Sequence, residues 1–286
     1  MSYEWLFSFV VFSEHLNFTR AARQLHISQP ALHVQIRKLA EAVGRPLYLR
    51  RGRALLITPE GERLAAFGRE VRDRGQAVLE ELRGVPPSRP VVLASGEGAL
   101  RYLLGPAIRR FPKERWPLRL STMRGPEAIE AVREARAQLA VVAAEAPPPD
   151  LLAVVLRSVG QVVILPSSHR LARRRRIEPR DLAGERIVVA PAGSPHRVML
   201  GQLLGAAHAE WQVGVEAIGW ELMLQFARYG LGIAVVNDFC PPPRGMRAVR
   251  LEGFPPVTYY LLRRTGLRSR PVDELHRLIA AMAPAT

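Results

Sequence analysis

The segment Gly84-Val85-Pro86-Pro87-Ser88-Arg89-Pro90 places three prolines and a glycine within seven residues. Neither a helix interior nor a central strand tolerates this density, because each proline fixes φ and lacks a backbone N–H. The segment reads as an interdomain hinge and separates two stretches of different pattern. Behind it, short β-branched runs at 91–94, 118–121 and 139–143 alternate with amphipathic stretches near 100–110 and 127–135. A second set follows, with runs at 161–165, 187–190 and 233–236 and helices near 197–208 and 220–229. Runs at 247–251 and 257–263 and a helix near 272–282 close the chain, returning to the first set. Such alternation implies βαβ crossovers and parallel pairing, here in two sheets.

Ahead of the hinge, residues 17–32 read as two short helices joined by a tight turn. Asn17 and Ser28 are placed to cap them, and Pro30 falls in an opening turn, where a missing N–H costs nothing. Leu32, Ile36, Leu39 and Val43 follow at spacings of four, three and four residues, an apolar stripe that packs inward. The opposite surface carries Pro30, His33, Val34, Arg37 and Lys38, and Gln29 projects from the first turn. Gln can pair bidentately with adenine, small apolar groups can meet a thymine methyl, and Arg37 and Lys38 can neutralise phosphates. A solvated surface helix satisfies the same periodicity.

Charge points the same way without deciding it. The chain has 41 basic against 26 acidic residues, a net charge of +15, and arginine supplies nearly all of the excess. A polyanion partner fits this balance, and so does a genome that favours arginine. With 48% hydrophobic residues in 286, the chain can bury full cores. No apolar run approaches the roughly 20 residues that span a bilayer, so no membrane partner is expected. The N-terminus carries Glu4 in place of a basic lead, and the single cysteine, Cys240, has no intrachain partner, so cytoplasmic residence is expected. Cys240 reads as a structural thiol and the run Arg173 to Arg176 as a solvated loop. With no phosphate-loop signature, Gly-x-Ser-x-Gly elbow or metal-spaced His/Cys/Asp cluster, no catalytic residue, cofactor or metal is expected.

The string Phe18-Thr19-Arg20-Ala21-Ala22, then Leu25, Ser28-Gln29-Pro30-Ala31-Leu32, Gln35-Ile36-Arg37, Leu39, Gly44, Leu47, Arg50 and Thr58-Pro59-Glu60-Gly61 resembles the LysR-type winged helix. The resemblance implies that the helix opened by Ser28 enters the major groove and that 47–57 forms a wing. Thr19, Ser28, Gln29, Pro30, Ala31, His33, Val34, Arg37, Lys38, Arg50, Arg51, Arg53 and Thr58 then face DNA. His33 stands where the family usually has Ser, Ala40 where it has Glu, and Tyr48 where it has Phe.

Between winged helix and hinge, Thr58 suits an N-cap, Pro59 the first helical position, and Glu60 and Glu62 the positive end of the dipole. Leu64, Val71 and Val78 repeat every seven residues, with Gly68, Gly75 and Leu82 beside them. A glycine costs about 1 kcal/mol in a helix interior, and close approach by another helix would offset it. That helix is either a partner's or one from the chain's own winged helix. The resemblance favours a homodimer through this helix, or a homotetramer of two dimers, with double-stranded DNA and RNA polymerase as macromolecular partners.

The resemblance extends over the remainder through Asp181-Leu182-Ala183-Gly184, Pro191-Ala192-Gly193-Ser194 and Gly230-Leu231-Gly232-Ile233-Ala234. It implies a two-lobed effector domain similar to periplasmic binding proteins. The expected organisation is a winged helix-turn-helix (1–58), a linker and dimerisation helix (59–84), a hinge (85–90) and an α/β effector module (91–286). Lobe I is expected to take 91–159 and 240–286, and lobe II 160–239, with crossings near 157–161 and 236–240. An effector would sit where strand ends and helix N-termini converge. The corners are Ser95-Gly96-Glu97-Gly98-Ala99, Arg124-Gly125-Pro126 and Ser194-Pro195-His196, with Trp220 as an aromatic wall. The family often has hydroxyls near Gly98 and Gly125, and glycine stands at both here. The function so read is a LysR-type regulator modulated by a small-molecule effector; the alternatives are a DNA-binding or architectural protein that senses nothing, or an α/β enzyme.

Overall fold

The computed structural model describes residues 2–52, 54–83, 89–266 and 269–283, so Arg53 and most of the hinge lie outside the described residues. The N-terminal unit comprises α1 (Tyr3–His15), α2 (Phe18–Gln24), α3 (Gln29–Val43) and a two-stranded wing, β1 (Tyr48–Arg51) with β2 (Ala54–Ile57). Asn17 Oδ1 accepts from the Arg20 amide and Ser28 Oγ from the Ala31 amide, the two caps expected. Phe9, Phe12, Phe18, Leu32, Ile36, Leu39 and Leu47 form the core. Val43 departs from the expected stripe and is 38% exposed, because the helix stops at Gly44 in a left-handed cap and nothing packs beyond it.

The linker helix α4 (Pro59–Leu82) follows. Thr58 is its N-cap: Oγ1 accepts from the Gly61 amide at 3.0 Å and donates to the Pro46 carbonyl at 2.8 Å. Gly68 lies directly under α1, where a Cβ would stand 2.5 Å from Val10 Cγ2 and 3.0 Å from Leu6 Cδ1. Of the two ways to offset its cost, the chain's own α1 accounts for Gly68. Leu64 likewise packs against the winged-helix core.

Past the hinge come β3 (Val91–Ser95), a π-helical turn (Ala99–Leu103), α5 (Gly105–Arg110), β4 (Leu118–Thr122), α6 (Gly125–Arg133), β5 (Leu139–Ala144) and β6 (Leu152–Val159). The chain then forms β7 (Gln161–Pro166), β8 (Arg176–Ile177), β9 (Arg186–Val189), α7 (Pro195–Ala206), β10 (Gln212–Glu216), α8 (Trp220–Arg228) and β11 (Ile233–Asn237). It ends with β12 (Met246–Leu251), β13 (Val257–Arg263) and α9 (Arg270–Ala280). Two sheets result, one of five strands in the order β4-β3-β5-β13-β6 and one of six in the order β10-β9-β11-β7-β12-β8. Each sheet is covered by apolar clusters on both faces, which explains runs such as Leu139–Ala144 that do not alternate.

Pairing is parallel within the βα units, but β13 runs antiparallel to β5 and β6, and β7 antiparallel to β11 and β12. The first crossing lies at Gly160, between β6 of the five-stranded sheet and β7 of the six-stranded one. The second boundary is corrected. β12 pairs with β7 and β8 in the lobe II sheet, so the chain returns to lobe I only between Leu251 and Val257, rather than at 240. Val249 and Leu251 are buried in the lobe II core, which holds the strand there. β6, β8 and β10 were not expected as strands. β6 and β10 alternate or are largely exposed, and β8 has only two residues.

Candidate nucleic-acid interface and interlobe cleft

On α3 an exposed ridge is formed by Gln29, Pro30, His33, Val34 and Arg37. Thr19 Oγ1 donates to Gln29 Oε1 at 3.0 Å and orients that amide at the helix tip. The His33 ring is stacked on Phe18 with centroids 3.5 Å apart, and partial burial lowers its pKa, so it presents a neutral edge. Arg37 is exposed and reaches outward, with an exposed Glu41 at 3.7 Å. Lys38 lies over the Trp5 ring of α1 at 5.6 Å. Ser28 is exposed but its hydroxyl is engaged as a cap, and Ala31 is half-buried behind it. In the wing, Arg50 folds back onto the Gly52 carbonyl at 3.1 Å, while Arg51 extends into solvent. Thr58 is corrected: it is buried, with its hydroxyl committed to Pro46 and Gly61, and it offers nothing to DNA.

The two lobes meet at the N-terminus of α8. The Trp220 indole lies against Gly98, where a Cβ would stand 2.3 Å from Cδ1, so only glycine admits it. Beside it, Gly219 has φ +88, a backbone conformation that favours glycine, and the Glu97 carboxylate lies over it. Tyr102 donates to Glu221 Oε2 at 2.5 Å, and Arg101 Nε lies 3.0 Å from the same oxygen. Burial and then the Glu221 bond push the Tyr102 phenol up to about 12.

Across from the indole, the His196 ring stands edge-on to Trp220 at 4.8 Å and stacked on Phe254 at 5.6 Å. Both of its ring nitrogens are buried without a hydrogen-bond partner among the described residues, and desolvation pulls its pKa down to about 4, so the imidazole is neutral. Ser194, the N-cap of α7, makes no capping bond, and its Oγ is also buried and unpartnered. The first turn of α7 adds backbone amides with no intrahelical acceptor. Pro195 is exposed at the rim.

The cleft therefore gathers Glu97, Gly98, His196 and Trp220, and Ser194 opens the helix that carries His196. Other expected members do not join. Ser95 is buried with its hydroxyl donated to the Val141 carbonyl at 2.6 Å, and Ala99 belongs to the lobe I core. Arg124 is turned to solvent and paired with Glu127 at 2.7 Å, and that carboxylate also accepts from the Arg124 backbone amide at 3.3 Å. Gly125 begins that helix, its nearest neighbour the Ala143 carbonyl. Of the residues expected along the dimer face of α4, Leu64 and Gly68 are corrected, since α1 and the winged-helix core occupy them. Val78 and Leu82 are exposed, Val71 is half-buried, and Gly75 has nothing within 4 Å.

Residues 3–62 match the family model described as bacterial regulatory helix-turn-helix protein, lysR family, and residues 84–284 match the LysR substrate binding domain. The chain belongs to the LysR family of transcriptional regulators. Among LysR-family relatives, it is 28% identical to the RuBisCO operon transcriptional regulator of Allochromatium vinosum over 275 residues, covering 92% of this chain and 90% of that one. It is 30% identical to the probable cat1 operon transcriptional activator of Acinetobacter lwoffii over 188 residues, 64% of this chain and 62% of that one. Its fold is similar to a full-length OxyR variant from Pseudomonas aeruginosa, with a TM-score of 0.73 at 20% identity, covering 99% and 94% of the two chains. It is also similar to full-length CbnR complexed with its target DNA, with a TM-score of 0.61 at 17% identity, covering 99% and 100%.

Three features of this LysR-family structure were not anticipated from sequence. Phe254 walls the cleft from the loop after β12. Tyr102 and Arg101 reach across to Glu221. At the crossings, Gln161 donates to Asn237 at 2.7 Å, Asn237 to the Tyr259 hydroxyl at 2.9 Å, and the Gly160 amide to Asp238 at 2.9 Å. The paired amides Gln161 and Asn237, each at the end of an apolar strand, were the available signal for that last network.

Proposed function

We propose that this regulator reads operator DNA through α3 and the wing, and that a small-molecule effector in the interlobe cleft modulates operator binding or activation. Gln29 and Val34 read base edges, Arg37 and Arg51 neutralise phosphates, and Arg50 stiffens the wing turn. Two copies pair through the part of α4 that α1 leaves uncovered, Val71, Gly75, Val78 and Leu82, as a homodimer or a tetramer of dimers, with RNA polymerase as a downstream partner in the cytoplasm.

The observation that carries the effector reading is the set of polar atoms on Ser194 and His196 that are buried and unpartnered among the described residues, those of His196 in a ring set between Trp220 and Phe254. Each such atom costs about 1 to 3 kcal/mol unless something satisfies it, and a bound ligand does so. Native mass spectrometry of protein purified from its host tests this. The expected result is a retained molecule that is lost in Ser194→Ala with His196→Phe and that changes operator affinity when added back to ligand-free protein. A protein that retains nothing and whose operator affinity ignores host metabolites would be a regulator that senses no ligand.

A further inference from the structure

We infer that Arg69 and Arg264 are positioning residues that together fix the C-terminus of α6 against the linker helix, Arg69 from α4 itself and Arg264 from the end of β13, so that lobe I holds one angle to the DNA-binding arm. Arg69, on α4, is 8% exposed; its Nε donates to the Glu134 carbonyl and its Nη1 reaches Ser13 of α1 at 3.5 Å. Arg264, just after β13, donates to the Val132 carbonyl and, at 3.2 Å, to that of Ala137. The acceptors cluster at the end of α6, where a helix leaves carbonyls unsatisfied and its dipole favours cations.

Burial disfavours the charge on both guanidinium groups, and neither forms an ion pair among the described residues. Glu14 and Glu134 support the Arg69 charge against Arg72 and Arg136, and Glu70 and Asp73 of α4 support Arg264. Nearby, Arg89 pairs with Asp73, a third link between the linker helix and the segment entering lobe I. Burying two cations is costly without a compensating role, and their joint effect is to fix one angle between α4 and lobe I.

The other end of α6 begins at Arg124–Gly125. Its nine residues span roughly 14 Å. Ala128, Ala131 and Val132 are locked into the lobe I core, so helix and sheet move as one body. Trp220 of lobe II packs on Gly98 of that same lobe I body, so lobe closure and the tilt of the winged helix are joined. The clamp itself stands whether or not the cleft takes a ligand, and its test uses none.

Spin labels at Ala42→Cys on α3 and Glu114→Cys on lobe I, in a Cys240→Ser background diluted with unlabelled chains, report that angle by double electron–electron resonance. The parent should give one narrow distance. Arg69→Met with Arg264→Met, which keeps volume but not donors, should at least double its width, while near-ultraviolet circular dichroism stays unchanged. Lysine at both positions should restore the narrow peak. Trp220→Ala should shift the peak in the parent and not in the methionine variant. An unchanged width in the methionine variant, or a Trp220→Ala shift equal in both backgrounds or absent from the parent, would overturn the inference. If the double variant does not fold, Arg69→Met alone is measured against the same outcomes.

Discussion

The two glycines of α4 should respond to alanine with opposite signs. Gly68→Ala places a methyl 2.5 Å from Val10 Cγ2, and Val10 is 0% exposed and β-branched, so it has little room to yield. Overpacking of this kind costs about 1 to 3 kcal/mol, and the gain in helix propensity returns about 1. The net expectation is a loss of up to about 2 kcal/mol. Gly75→Ala meets nothing within 4 Å in the chain and should keep the gain of about 1. For a unit the size of residues 2–83, about 4 to 8 °C accompanies each kcal/mol. Scanning calorimetry of the N-terminal transition should show Gly68→Ala lowered and Gly75→Ala raised. A Gly68→Ala midpoint raised as far as that of Gly75→Ala would refute the packing of α1 on α4.

Arg37→Ala and Arg51→Ala should each weaken operator binding and flatten the slope of log K against log salt by about 1, measured by fluorescence anisotropy. Gln29→Ala should relax preference at one base position by about 1 to 3 kcal/mol in a binding-site selection, and an unchanged preference removes it from the reading set. His196 titrates near 6.5 when unfolded and about 4 when folded, so the unfolded chain binds the extra proton first. Stability should therefore be unaffected above pH 6.5 and fall as pH drops toward 4, by about 3 kcal/mol in all at about 1.4 kcal/mol per pH unit. His196→Phe should remove that part of the acid sensitivity of the thermal midpoint. Cys240 is buried, and burial with Asp238 and Glu221 nearby pushes its thiol up to about 12; native protein at neutral pH should resist iodoacetamide, and rapid labelling seen by mass spectrometry would contradict this.

The elements of the winged helix were legible because each is fixed by local chemistry: Asn17 and Ser28 cap, Pro30 opens α3, and Leu32, Ile36 and Leu39 declare the buried face. The βα units were legible for the same reason, as apolar runs bounded by breakers. What escaped depended on contacts distant in sequence. Nothing local tells β12 to stay in the second sheet, since its partner β7 lies some eighty residues earlier. Gly68 looks like Gly75 in the sequence, and only the position of α1 distinguishes them. Ser95 and Ser194 both read as corner hydroxyls, yet one donates to Val141 across the sheet and the other has no partner. Arg69 and Arg264 were hidden among the many arginines, because an arginine that seeks a main-chain carbonyl leaves no pattern in its neighbours.

The central claim, that the exposed face of α3 and the wing read a specific sequence, is tested most directly by selection from random duplex DNA with the full-length oligomer. The selected sites should form a dyad of two half-sites whose centres are about 10 base pairs, or a multiple of that, apart, with the preference at one position lost in Gln29→Ala. Enrichment of no sequence over the starting pool, with binding governed by salt alone, would contradict it.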